Sequence, residues 1–383
     1  MTPAARLSAA IEILDRVLAG APAEQVLTNW ARASRFAGSG DRHAVRDLVY
    51  DALRCRRSFA ALGGAESGRG LILGGLRSAG VEPETLFTGE GHAPAPLSSA
   101  DIGQAPTGFA ALDIPDWLAS QMQQNMGDAF EAVAEALRHR APVFLRANLA
   151  RGSRDSARAA LAEAGIEAEP HPLSPTALLV TAGARRVSAS EPYTGGLVEL
   201  QDAASQAVVD ALPLADGMRV LDYCAGGGGK SLAMAARARV KLFAHDSDPR
   251  RMRDLPARAK RAGVKVEVLP GAPSGLFDLV LADAPCSGSG SWRRAPEGKW
   301  ALTPQRLQDL RNIQSEILDK ASALVQPRGW FAYATCSLLN AENRDQIDAF
   351  LARTDKWSLQ RELRLTLIDG ADGFYLALLQ RIN

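Results

Sequence analysis

Residues 220–231 read Val220-Leu221-Asp222-Tyr223-Cys224-Ala225-Gly226-Gly227-Gly228-Gly229-Lys230-Ser231, an apolar strand candidate that runs into four glycines and then a helix. Glycine loses more backbone freedom on folding than any other residue, so four in succession make sense where a chain must turn tightly or lie against a ligand. A turn alone needs one or two. Working outward, the same strand–turn–helix alternation recurs: 242–245, 264–269, 279–283 and 330–335 are further strand candidates, and the amphipathic stretch 304–324 lies between two of them. This predicts an α/β fold over residues 196–383, a doubly wound, Rossmann-like, mostly parallel sheet with helices on both faces.

Three ligands compete for the glycine loop. A P-loop would need glycine at position 224, which is Cys224. A dinucleotide fingerprint would need its last glycine at 231 or 232, which are Ser231 and Leu232. S-adenosylmethionine (SAM) is the third. Asp246 ends the next strand candidate, 20 residues after Gly226, where an acid can accept hydrogen bonds from both hydroxyls of a ribose. That acid alone does not separate SAM from NAD. Cys224, Ala225, Gly226, Gly227, Gly228, Gly229, Lys230 and Asp246 are the candidate cofactor contacts, and Asp283 joins them from the facing strand.

Asp283-Ala284-Pro285-Cys286-Ser287-Gly288-Ser289-Gly290 follows the apolar run Leu279-Val280-Leu281, and Ala334-Thr335-Cys336-Ser337 follows Trp330-Phe331-Ala332-Tyr333. In a doubly wound sheet the carboxyl ends of the strands form the ligand crevice, so both cysteines should face the cofactor. A single free cysteine is usually a small buried hydrophobe. Two at crevice ends, one of them three residues after an acid, point to thiol chemistry. Cys55, on an apolar N-terminal helix, reads as structural.

The first 140 residues read as all-helical, with Leu7, Ile11, Leu14 and Leu18 on one stripe, a second helix capped by Asp41, and a further helix over 117–140. Residues 141–195 suggest a small α+β element. Between Arg32 and Arg57 seven arginines face three aspartates, which is either a solvated helix face or a phosphate-contacting patch. Net charge over the 383 residues is only +1, so the whole-protein balance announces no polyanionic partner. No apolar run approaches the roughly 18 residues of a membrane helix. With four cysteines, none spaced Cys-x-x-Cys, and no histidine placed to complete a metal site, the expectation is a cytoplasmic chain without a structural metal or membrane segment, and a monomer.

The segments Cys224 to Ser231, Asp283 to Gly290 and Ala334 to Ser337 resemble the signature motifs of the Nol/Nop/Sun family of RNA cytosine-5 methyltransferases. Arg293-Arg294-Ala295-Pro296-Glu297-Gly298-Lys299-Trp300 is similar to that family's stretch after the Asp-Ala-Pro-Cys motif, and Gly370-Ala371-Asp372-Gly373-Phe374-Tyr375 to its closing motif. Asp41-Arg42 through Tyr50 to Arg54 looks like the NusB-like RNA-binding domain of the RsmB-type bacterial members. The resemblance departs at two places: Gly226 and Gly227 stand where the family has Ala-Pro, and 269–273 lacks the family's adenine-side acid.

The resemblance implies SAM-dependent methylation of cytosine carbon 5 in RNA, with 16S ribosomal RNA as substrate; transfer RNA, or a silent RNA-binding assembly role, are the alternatives. Carbon 5 becomes nucleophilic only after a thiolate adds to carbon 6. The chemistry needs a thiol, a partner for ring nitrogen 3 and a base at carbon 5, for which Cys336, Asp283 and Cys286 are candidates. Chemistry alone does not say which cysteine attacks; the resemblance makes Cys336 the nucleophile and leaves Cys286 to proton removal and release. Lys230 adds positive charge beside the thiols or contacts Asp283, the plain alternative being an exposed lysine at a helix start. Arg46, Arg54, Arg57, Arg293 and Arg294 are the candidate RNA contacts.

Overall fold

The computed structural model describes residues 1–382, which fall into two units by packing: 1–140 with 292–301, and 141–291 with 302 onward. Among the described residues no helix is long and apolar enough to cross a membrane.

The first unit is helical. Its main helices are α1 (Pro3–Leu18), α2 (Ala23–Ala33), α3 (Ser39–Arg54), α4 (Arg56–Gly63) and α5 (Gly68–Ser78). Leu7, Ala10, Ile13 and Leu14 of α1 recur at helical spacing and meet Val45, Val49 and Leu53 of α3 and Leu71 and Ile72 of α5 in one buried cluster. Two local expectations change. Asp41 is not the cap of α3 but lies in its first turn, where it accepts from Gly38 N at 3.1 Å and pairs with the N-terminal ammonium. The helix expected over 117–140 is two, Asp116–Met126 and Phe130–Arg138, because Gly127 takes a left-handed φ of 54° between them.

The second unit holds two sheets. Strands β1 (Phe144–Ala147), β2 (Glu167–Pro170), β3 (Ala177–Ala182) and β4 (Val198–Leu200) form an antiparallel sheet in the order β2-β3-β1-β4. A boundary at 195 would cut this sheet, since β4 returns to pair with β1. The larger sheet comprises β5 (Arg219–Asp222), β6 (Lys241–Ala244), β7 (Glu267–Val268), β8 (Phe277–Asp283), β9 (Val325–Thr335), β10 (Trp357–Leu365) and β11 (Phe374–Arg381). Its order is β10-β11-β9-β8-β5-β6-β7; β5 to β9 pair in parallel, and β10 and β11 add an antiparallel edge.

Strand side chains alternate between faces, and here both faces are covered. Val220, Leu279, Leu281, Ala332 and Ala334 pack with Ala203–Asp210 and Met234 of helix Gly229–Arg237. Their neighbours Leu221, Val280, Ala282, Phe331 and Tyr333 pack with Leu318 and Ala321 of helix Pro304–Ser322 and with Ile347 and Phe350 of Arg344–Ala352. A sheet dry on both sides leaves its carboxyl edge as the place where loops meet polar ligands.

Candidate active site

At that edge the parallel register sets Asp222 beside Leu281 and Asp283 beside Ala334, so the ends of β5, β8 and β9 converge. The loop after β8 and the turn after β9 are stitched together: Ala284 N donates to Ala334 O at 2.9 Å and Gly290 N to Cys336 O at 3.0 Å. Gly373, from the closing motif, donates its N–H to Gly290 O at 2.9 Å. A Cβ on Gly290 would stand 2.1 Å from Gly373 O, so only glycine permits this approach. The result is a thiol pair, Cys286 Sγ and Cys336 Sγ, 3.4 Å apart.

The charges around the pair are unequal. Lys230 is 7% exposed and its ammonium donates to Asp283 Oδ2 at 2.6 Å, with the Phe374 ring centroid 4.7 Å away. It is therefore no exposed helix-start lysine. The hydrogen bond from Cys286, opposed by burial and by the Asp283 carboxylate and aided by Lys230, holds the Cys336 thiol below its ordinary value. The same hydrogen bond, burial and the Glu342 carboxylate push the Cys286 thiol well up. Cys224 is also pushed far up, by burial and then by Asp222, so it stands as a neutral thiol. The site thus distinguishes its cysteines, with Cys336 the one suited to be a thiolate.

In the glycine loop, Gly226 and Gly228 take left-handed φ values of 50° and 79°, and a Cβ on Gly228 would meet Leu255 Cδ1 at 2.1 Å. Ala225 N donates to His245 O at 2.8 Å and Gly226 N to Asp246 Oδ2 at 2.9 Å, which folds the loop against the end of β6. Asp246 also accepts from Asp248 N at 3.0 Å and meets the half-exposed Arg251 at 3.2 Å. Arg258 bridges from Glu199 of β4 to Gly227 O, so the smaller sheet buttresses the loop. Beneath it, Ser231 Oγ donates to Asp222 Oδ2 at 2.6 Å, while Asp222 Oδ1 is buried without a hydrogen-bond partner. Burial raises the Asp222 carboxyl to about 7. A buried, half-satisfied acid under a glycine loop and a second acid at the next strand end fit a cofactor carrying an ammonium and a ribose. At the end of β7 the chain continues through Leu269, with no acid there.

The arginines expected to contact RNA part company. Arg54 and Arg293 are both 6% exposed, and Arg54 Nε donates to Arg293 O at 2.7 Å. Their burial removes them from a phosphate-binding face. Arg46 pairs with Glu24 at 2.8 Å and Arg57 with Asp116 at 2.7 Å, both on partly exposed side chains, and Arg294 is exposed. The reason lies in the strap 292–301, which packs in the helical unit. Lys299 Nζ and Trp300 Nε1 donate to Arg54 O and Leu53 O, the last carbonyls of α3, while Glu297 accepts from Ala23 N at the start of α2. The strap therefore caps two helices with the charge each end favours.

Sequence reasoning missed Glu342, which is 0% exposed and binds Ser287 and Ser337, the residues after the two cysteines. Its partner Ser287 lies 55 residues away, so no local signal marks it.

Among solved structures, the crystal structure of PH0851 superposes with a TM-score of 0.78 at 21% identity, covering 100% of this chain and 99% of that one. That of NSun6 from Pyrococcus horikoshii with SFG gives 0.63 at 16% identity, covering 70% of this chain and 99% of that one. These likenesses, with the sheet order, define a Rossmann-like methyltransferase fold. A family model described as 16S rRNA methyltransferase RsmB/F matches residues 209–379, and one described as an RsmF/B-like ferredoxin-like domain matches 114–186. Ribosomal RNA small subunit methyltransferase B of Klebsiella pneumoniae subsp. pneumoniae is 37% identical over 289 residues, 70% of this chain and 66% of that protein. The protein of the same name from Salmonella arizonae is 32% identical over 326 residues, 81% of this chain and 72% of its own length. The chain belongs to the RsmB/F methyltransferase family, and it spans about two thirds of the length of the curated relatives it matches.

Proposed function

We propose that the chain methylates carbon 5 of a cytosine in 16S ribosomal RNA, with SAM as donor and Cys336 as nucleophile. The observation that carries this reading is the 3.4 Å thiol pair at the ends of adjacent parallel strands, flanked by the Lys230–Asp283 ion pair. Family membership and the names of the relatives support the substrate.

SAM, when bound, supplies an electrophilic methyl group. The backbone of 224–229 would hold its methionine end, with Asp222 facing the ammonium and Asp246 the ribose. The target base must be unstacked, since carbon 6 is shielded within a helix. Cys336, as thiolate, adds to carbon 6 and makes carbon 5 electron-rich. The ring gains an electron pair, and nitrogen 3 takes up a proton from solvent, while the Cys286 thiol gives its own proton to solvent. Asp283, paired with Lys230 at 2.6 Å, accepts a hydrogen bond from the protonated nitrogen. After methylation the Cys286 thiolate removes the carbon 5 proton. The carbon–sulfur bond to Cys336 then breaks, nitrogen 3 releases its proton to solvent, and both thiols return to their starting states.

Incubating the enzyme and SAM with 16S ribosomal RNA, assembled small subunits and transfer RNA, followed by bisulfite sequencing, tests this. Protection of a defined cytosine in the ribosomal substrate is expected. Protection confined to transfer RNA would overturn the substrate, and none with any RNA would overturn the activity.

A further inference from the structure

Glu342 sits in the short turn Asn340–Glu342 that follows β9 and Cys336. Oε1 accepts from Ser287 N at 2.8 Å and Gln314 Nε2 at 3.0 Å, and Oε2 accepts from Ser287 Oγ and Ser337 Oγ. Four neutral donors satisfy the carboxylate, and among the described residues no lysine or arginine pairs with it. Two of these donors, the Ser287 N–H and the Gln314 amide NH2, can only donate and both meet Oε1, so Oε1 is held as an acceptor. The turn is fixed in its own right, since Tyr333 Oη donates to Glu342 O at 2.7 Å. Gln314 Nε2 also donates to Pro285 O at 3.0 Å, which clamps the residue before Cys286 as Glu342 clamps Ser287, the one after it.

We propose that Glu342 is a positioning residue for both thiols: by tying Ser287 to Ser337 through one carboxylate it sets Cys286 against Cys336, and its charge assigns the shared proton to Cys286. This deepens the function proposed above and rests on it for the roles of the two cysteines. A bare structural bridge could be built from neutral groups, and a fully buried charge without a cation is costly. Here that charge has a direction. Beside Cys336 the Asp283 carboxylate is paired with Lys230, whereas Glu342, which has no cation partner among the described residues, acts on Cys286, and the Tyr333 hydroxyl is neutral. The pair's proton is favoured on Cys286, whose neighbour Ser287 carries two of the four hydrogen bonds to Glu342. A Cys286 made more basic is also a better acceptor for the carbon 5 proton later in the reaction.

The variants Glu342→Gln and Glu342→Ala separate charge from bridge. Glutamine can still accept from Ser287 N and Gln314 Nε2, and its amide can donate to the two serine hydroxyls, which rotate to accept. The measurement is per-cysteine alkylation by iodoacetamide in the full chain without RNA, read by peptide mass spectrometry, alongside kcat and KM for methylation. In the unmodified protein Cys336 should react about ten times faster than Cys286 or more, because the thiolate is the reacting form and Cys336 is the lowered thiol of the pair. Glu342→Gln should bring the two rates within about a factor of two while SAM affinity and the KM for RNA hold, and kcat should fall about ten-fold. Glu342→Ala should lose more of kcat, because the bridge goes as well. A Glu342→Gln protein with the original alkylation ratio and kcat would overturn the proposal, and so would equal alkylation of both thiols in the unmodified protein. Because alkylation needs no RNA, a failure of the RNA substrate reading leaves this result legible on its own.

Discussion

Lys299 in the strap and Lys230 in the glycine loop are both buried ammonium groups over an aromatic ring, at 4.5 Å from the Trp300 centroid and 4.7 Å from that of Phe374. Lys299 donates to the carbonyl of Arg54 at a helix end, whereas Lys230 donates to the Asp283 carboxylate beside two thiols. A helix-end dipole returns about 0.3–2 kcal/mol to a cation, and burial lowers the Lys299 ammonium to about 8. The partner decides the role. A cation answered by dipoles closes a helix end, and one paired with a carboxylate beside two thiols stands where its charge can act on them.

The sharpest way to break this contrast is to neutralise each lysine in turn. Lys230→Met should lower kcat by about 10²–10⁴-fold, the range for losing a group that supports proton transfer, with a fold that still melts cooperatively. Lys299→Met should leave SAM binding intact and act on the stability of the helical unit. The fold disfavours its charged form, so its contribution is complete above the ordinary 10.5 and is lost as pH falls through about 8. Urea melts of the unmodified protein should therefore gain stability between these pH values, and Lys299→Met should flatten that gain. If Lys299→Met instead abolished methylation with no change in the melt, the strap lysine would belong to the chemistry.

On the cofactor side, Asp246→Ala should weaken SAM binding by about 1.5–3 kcal/mol in calorimetry, the loss expected for a charged hydrogen-bond partner. Unchanged affinity would remove Asp246 from the site. The smallest effect falls on the helical unit: neutralising Arg46 and Arg57, whose side chains are partly exposed, should flatten the salt dependence of RNA binding by about one unit for each phosphate no longer neutralised. An unaltered slope would return both to the solvated face, held there by Glu24 and Asp116.

The same contrast explains what could be read from the chain alone. The glycine loop, Asp283-Ala284-Pro285-Cys286 and Thr335-Cys336 were legible because strand, turn and reactive residue lie together in sequence, and the sheet then brings their ends to one edge. Both outer strands, β10 and β11, went unread: β10 carries Gln360, Arg361, Glu362 and Arg364 on an edge, which hides its period. Arg54, Arg293 and Lys299 look like solvent-facing cations until the strap meets α3, more than 230 residues apart in sequence. Glu342 looks like any acid in a polar turn until the loop after β8 folds over it.

Cysteine replacement tests the central claim most directly, because covalent catalysis divides attack from release. Cys336→Ala and Cys286→Ala proteins should be incubated with SAM and the ribosomal substrate and run on a denaturing gel. Cys336→Ala should neither methylate nor retain RNA, since no bond to carbon 6 can form. Cys286→Ala should accumulate a protein–RNA complex that survives denaturation, since the adduct forms and the carbon 5 proton has no acceptor. Trapping in Cys336→Ala in place of Cys286→Ala would make Cys286 the nucleophile and contradict the account.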